Sequence, residues 1–553
     1  MTDNGRTSET PLTITRILGD APFAPVGKPT SVASSSTQGV IVVGGDLGPL
    51  QWQGRLLGGG ASQYRIGVFS LDDVRCRMVQ STRWPVNAVA LHPLLPVAAV
   101  GTGSYDGGYA FEGELLLLDL QTGRSASVLQ RKREIRSLSW SDNDTLDVVA
   151  SPYDDYEDDE AHAFGHAFSL VCDDWTTVPD RAFTAEQQVG PRVPCALPPG
   201  TRLAEWHLVE ICADLGRSWV SRRQVWAVEP HGEGNVVAAL EGVEAESWLS
   251  GGSLAWSVPD SLGGRQLHLA PDGRSVWATV PQGHVRTRGG WQDLPTRVDR
   301  LSLEDGRVLE TLDTTGPVVV TASRDGRLAL RDANWRIEAR RSPIRLIDLD
   351  GSDEDCHAKL SGYDPYNHYF AIRNSPILLF LDGTGPREHR DKKIVTIEPA
   401  ESKAAPTVRA LFPLEWDSAR QGHLFGGPGV YLHDGLGASV VHAGAVHDGA
   451  GLLRGNAFVV RRVLPDGEPA WVFHADSSPT AVDTDGVTVY AAFSNGELVA
   501  SDARTGTVRW RQNITVGGVE AVALSLALHE SRLLLGTWDG RILDCLVPSV
   551  AVA

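Results

Sequence analysis

Apolar residues along this chain fall in short runs, many of them continuous rather than alternating, and the runs end at Gly, Pro, Asn or Asp. Runs of roughly four to eight apolar residues bounded by turn formers predict buried strands, since a strand apolar on both sides needs both faces covered. One unit shows the grammar. Residues 86–91 and 96–101 give two runs, 113–119 a third after a loop, and 125–129 a fourth after Gln121-Thr122-Gly123. Thr122-Gly123 stands where a hairpin between the third and fourth strands needs a residue of positive φ. The order recurs at 267–280 with 301–306. It recurs again at 480–483, 487–493, 498–502 and 507–510, with Thr505-Gly506 at the same turn.

Further units begin near Thr30, Ile135, Pro317, Tyr366, Gly422 and Glu520, making nine readable units and one irregular stretch near 190–245. In that stretch, 203–215 predicts a short helix and 225–240 a hairpin. Four-stranded units repeating every 45–60 residues or so predict an all-β fold, a β-propeller of four-stranded antiparallel blades. The last unit supplies only three strands, and residues 12–18 read as the fourth, which would remove exposed sheet edges. The expectation is therefore a single propeller domain over 1–553 with eight to ten blades in one ring. In it 1–20 closes the last blade and 184–222 is an insertion or irregular blade.

Leu91-His92-Pro93 and Leu269-Ala270-Pro271-Asp272-Gly273, each before a second strand, resemble WD40-type repeats. The run Asp502-Ala-Arg-Thr-Gly-Thr-Val-Arg-Trp510 is similar to the repeats of quinoprotein-type propellers. The Gly-His opening and Trp-Asp close of WD40 repeats are absent from nearly every unit, so the resemblance is to the superfamily. It implies a ring whose loop faces bind proteins.

Composition narrows the partners. The net charge of −19 lacks the cationic footprint that phosphate backbones or anionic membranes require, so neither nucleic acid nor membrane is an expected partner. The six cysteines are scattered without a C-x-x-C pair and read as reduced thiols. Residues 1–9 are polar and no run reaches the length of a membrane span, which makes the cytoplasm the expected compartment. Arginine and alanine greatly outnumber lysine and methionine, a bias typical of a GC-rich bacterial genome.

Candidate chemistry lies in the loops. The first three units carry long insertions between their second and third strands, at 46–64, 102–113 and 151–166. Equivalent loops of neighbouring blades share one face. Trp52, Tyr105, Asp106, Tyr109, Phe111, Tyr153, Asp154, Asp155 and Tyr156 would then form an aromatic–acidic patch, the residue mix of protein-binding surfaces. The acidic run from Asp154 to Glu160 with His162 and His166 reads as a solvated loop without EF-hand spacing. The group His423, His433, His442 and His447 reads as turn and edge histidines. No nucleophile elbow or phosphate-binding loop is present. The sequence thus assigns no catalytic, cofactor or metal residues. It favours a noncatalytic scaffold for partner proteins over a propeller enzyme (a metal-dependent hydrolase or quinone-type oxidoreductase) or a sensor of a small ligand in the central channel.

Overall fold

The computed structural model describes residues 12–52, 55–56, 62–156, 160–195, 201–287, 290–332, 343–348, 356–360, 371–383, 391–398, 406–414, 422–447 and 452–547. Strands dominate it, and ten sheets hold three or more strands among the described residues. These sheets are the blades of a β-propeller. Where the sequence reads as one domain over 1–553, the chain divides into two compact units. One comprises Met1–Gly19, Leu50–Ala61 and Gln224–Ala553, the other Asp20–Pro49 and Ser62–Arg223. No helix among the described residues is long and apolar enough to cross a membrane.

The larger unit contains seven sheets. The first runs Val225–His231, Asn235–Leu240, Val243–Trp248 and Leu254–Pro259, in spatial as in chain order. It shows why the apolar runs are continuous. Val237 and Ala239 pack against Leu267, Val276 and Leu301 of the next sheet, while Val236, Ala238 and Leu240 pack the other way against Leu18, Ala527, Leu534 and Ile542. Neighbouring residues of a strand point to opposite faces, and here both faces are covered. Similar apolar clusters join each sheet to the next, and the last of the seven packs back on the first. That last sheet is built from Ala523–His529, Arg532–Thr537 and Ile542–Leu546, completed by Thr13–Leu18, which pairs antiparallel with Ile542–Leu546. Arg16 and Arg532 both pair with the buried carboxylate of Asp544 and fasten the junction.

Side chains on the innermost strands stitch adjacent sheets. Gln266 donates to the Val320 carbonyl and accepts from its amide, Thr480 donates to the Ala523 carbonyl, and Ser525 donates to the Val225 carbonyl. One inner strand is irregular. Ala371–Arg373 pairs in parallel with His423–Asp434 instead of heading its own sheet. The unit start read at Tyr366 lies outside the described residues.

The smaller unit stacks three sheets. They begin with Lys28–Ser35, Val86–Leu91 and Ile135–Trp140, and apolar clusters join the first to the second and the second to the third. The stretch read as irregular now divides. Arg192–Pro194 is the outer strand of the third sheet, Thr201–Asp214 is a helix, and the hairpin after it opens the larger unit. The helix lays Leu208, Ile211 and Cys212 on Ile41, Val43 and Phe69 of the first sheet, covering a face with no further sheet on it within this unit. At the other end, Asp147 accepts from Ser169 at 2.5 Å and from Ser141, so that face of the third sheet carries a polar row.

One turn recurs in both units. Gly123, Gly306 and Gly506 each donate to the carbonyl four residues back, at φ of 76, 73 and 73°. Each sits under an outer-strand side chain of the preceding sheet: Met78, Trp256 and Trp471 respectively. The two indoles also donate to backbone carbonyls in the turn, of Leu303 and Ala503, at 3.0 and 2.9 Å. Glycine is needed twice over, for its left-handed backbone and for the space a Cβ would take. A Cβ at position 506 would lie 2.6 Å from Trp471, whereas one at Gly486, with φ of 89°, meets nothing within 4 Å. We therefore expect Gly506→Ala to cost about 2–4 kcal/mol, combining backbone strain with overpacking, and Gly486→Ala only about 1–2 kcal/mol. Denaturant midpoints check this, and equal losses would show that the docked indole adds no constraint.

Candidate functional site

The insertions of the second and third sheets are built into one surface. In the former, Ser104–Tyr105 pairs with Phe111–Glu112 around a tight turn. Asp106 Oδ1 accepts from the amides of Gly108, Tyr109 and Ala110 at 2.8, 2.9 and 3.0 Å, which holds its carboxyl below the usual range. The next insertion docks on it edge to edge. Ala110 bridges Asp154, the Phe111 amide donates to the Tyr153 carbonyl at 3.0 Å, and the Asp155 amide donates to the Tyr109 carbonyl at 3.0 Å. Backbone pairing between loops of adjacent sheets fixes both, so their side chains share one frame.

Beneath this frame, Phe111 is buried, and its ring, that of Tyr105 and that of His162 meet at centroid distances of 4.7–5.1 Å. Asp155 Oδ2 ties them together, 2.9 Å from the Tyr105 hydroxyl and 3.2 Å from His162 Nε2. Desolvation, then the Asp155 carboxylate, pushes the Tyr105 hydroxyl above its ordinary pKa. Tyr153 is 37% exposed, and its ring already takes the guanidinium of Arg133 at 4.5 Å and that of Arg131 at 5.4 Å. Arg133 is itself buried, donating to the carbonyls of Ser151 and Gln188.

Above the frame the aromatics face outward. Tyr109 is 59% and Tyr156 76% exposed, and the two rings meet edge to face at 6.2 Å, with Asp106 and Asp154 exposed on the same loops. The expected patch therefore separates into a packed layer of Tyr105, Phe111 and Asp155 and an outward layer of Tyr109, Tyr156, Asp154 and the rim of Tyr153. Trp52 belongs to the other unit, where with Gln51 it pairs with Arg55–Leu56 in a short hairpin. Of the acidic run, residues 157–159 lie outside the described residues. His166 is bound to the Gly190 carbonyl rather than to that loop. His423 and His447 are register partners on neighbouring strands, and His442 is buried, its pKa depressed to about 3 by desolvation. Among the described residues no three His, Cys, Asp or Glu side chains converge as a metal site.

A second constellation lies among the inner strands of the larger unit, where a cavity of about 290 Å³ is lined by residues of seven strands. Arg373 joins two carboxylates there, reaching Glu229 at 2.5 and 2.8 Å and Asp483 at 3.5 Å. Burial raises the pKa of both acids and the guanidinium opposes it. The sequence reading missed these residues. Each acid or base stands alone in its own run, and only the cyclic packing of strands more than a hundred residues apart brings Glu229 and Arg373 together.

Between the first two sheets of this unit, one guanidinium serves three carboxylates. Arg297 lies 2.5 Å from Glu244, 2.6 Å from Asp299 and 3.0 Å from Asp260. Glu244 is buried, and desolvation together with the Asp299 charge lifts its pKa to about 7, against the pull of Arg297.

No protein-family model matches this chain, and no curated protein matches it. Among solved structures it is similar to selenomethionine-substituted virginiamycin B lyase from Staphylococcus aureus, at 12% identity and a TM-score of 0.42. The match covers 59% of this chain and 95% of that one. The blade assignment itself rests on the strand order and sheet packing described above.

The Glu244 group has a measurable consequence. A carboxyl whose pKa is raised on folding stabilises the fold fully below its unfolded value of 4.5 and loses that contribution as pH rises through about 7. The buried histidines, depressed in pKa, act in the opposite direction in both proteins, so the readout is the difference: between pH 5 and 8 the Tm of wild type relative to Glu244→Gln, which cannot ionise, should fall. A difference that does not change with pH would place the titration elsewhere.

Proposed function

We propose that this protein is an interaction scaffold, and that the outward aromatic–acidic layer of its three-sheet unit receives a basic segment of a partner protein. The observation that carries the reading is the edge-to-face pair of Tyr109 and Tyr156, both largely exposed on loops locked together through backbone hydrogen bonds. Rigid tyrosines offer large contact area at low entropic cost and are enriched among residues that dominate binding energy. Asp106 and Asp154 beside them supply the complementary charge for lysine or arginine, which would steer association and make it depend on salt. Tyr153 with Arg131 and Arg133 displays within the chain the guanidinium-on-ring contact that an incoming arginine would make on its neighbours.

Affinity of wild type and of the double variant Tyr109→Ala/Tyr156→Ala for a set of arginine- and lysine-rich peptides and their acidic counterparts tests this. Both side chains are exposed, so the variant should keep its circular dichroism and Tm. Wild type should prefer the basic peptides, with binding that weakens as salt rises, and the double variant should lose tenfold or more. Equal binding by both proteins, or a preference for acidic peptides, would remove the patch from consideration.

A further inference from the structure

The cavity among the inner strands of the larger unit has features that stitching of the sheets does not explain. Gln266, Thr480 and Ser525 point polar groups at its wall, yet each is consumed by a bond to the neighbouring strand. The Glu229 and Asp483 carboxylates are engaged by Arg373, and Asp483 also accepts from the amides of Leu528 and Thr484. His268 differs. It lines the cavity, and its buried Nε2 has no hydrogen-bond partner among the described residues. Burial, and secondarily the Arg373 charge, hold its pKa near 4, so at neutral pH the ring is uncharged. A buried ring nitrogen without a partner is costly unless a solute or water satisfies it.

Charge points to the rest of the ligand. Among the described residues Arg265, Arg324 and Arg373 line the cavity, and Arg373 is bound to Glu229 on its wall and to Asp483 behind it. Arg265 lies over the indole of Trp226 at 4.8 Å, which fixes its plane. Arg324 is exposed and makes no ion pair among the described residues. Apolar wall between these groups comes from Leu267, Ile372, Val482 and Leu526. A volume near 290 Å³ is at the small end for ligand pockets and fits a metabolite-sized molecule.

We propose that this cavity binds a small organic acid, its carboxylate held by Arg324, its apolar body against the inner strands, and a polar group hydrogen-bonded to His268. Arg373, already committed to two carboxylates, acts as a positioning residue that keeps the wall from accepting a cation.

The test is a ligand-observed fluorine NMR screen of the full chain against fragments divided equally among carboxylic acids, amines and neutral molecules. Hits are repeated on Arg324→Gln and on His268→Phe, both checked for unchanged circular dichroism. The expected result is hits drawn mainly from the acids. Their affinity should fall at least tenfold in Arg324→Gln, and several-fold in His268→Phe for acids that also carry a hydroxyl or amide. Hits dominated by amines or neutral fragments, acids that bind Arg324→Gln as well as wild type, or no hits at all would overturn the proposal. Because the probes and variants are remote in sequence from Tyr109 and Tyr156, none of these outcomes bears on peptide binding at the loop patch.

Discussion

A sheet that is apolar on both faces has to be covered on both, and the rest of this structure follows from that requirement. Val236 to Leu240 is the clearest case, five consecutive apolar residues that alternate between two different neighbouring sheets. A stack of such sheets cannot simply stop. In the seven-sheet unit the last sheet packs back on the first, so the apolar faces of both are covered. In the three-sheet unit the two end faces are handled differently. The helix Thr201–Asp214 covers one, and the serine–aspartate row around Asp147 makes the other compatible with water.

The same requirement determines where chemistry can sit. Strand interiors are spent on packing, and inner-strand polar groups are largely spent on stitching. Functional groups are left with two locations: loops that leave the blades, and the space the inner strands surround. The insertions of the second and third sheets occupy the first location and stiffen each other by backbone pairing, which turns two loops into a platform for Tyr109 and Tyr156. The cavity around His268 and Arg373 occupies the second. Its ionic hub comes from an inner strand that pairs in parallel with its neighbour, so a local departure from the regular blade supplies the charged side chain.

Several carboxylates in or beside the core are matched by arginine. Asp544 is matched by Arg16 and Arg532, Asp434 by Arg461, and Glu229 by Arg373, each carboxylate offset by a guanidinium whose planar fork suits it. Three acids that share a guanidinium are raised: Glu229 and Asp483 share Arg373, and Glu244, which shares Arg297 with two further carboxylates, rises to about 7. Low dielectric makes an unmatched charge expensive, so proton uptake takes the place of the missing cation.

The sequence by itself determined the strands, their hairpins and their grouping into blades, because these depend on residues near one another in the chain. Thr122-Gly123 and Thr505-Gly506 marked their turns through a local backbone need, and residues 12–18 read as a strand because their pattern is that of a strand. It also located the insertions and their aromatic content, and hence most of the loop patch. Which members of that patch face outward was decided only by the folded chain. Phe111 is buried and Tyr109 exposed because the bridge between Ala110 and Asp154 sets the direction of the residues around it. The division into two units was likewise a tertiary outcome, for one apolar blade face looks the same in sequence whether a sheet or a helix covers it. The meeting of Glu229, His268, Arg373 and Asp483 is the extreme case: their separation in sequence carries no signal, and proximity comes solely from the cyclic order in which the sheets pack.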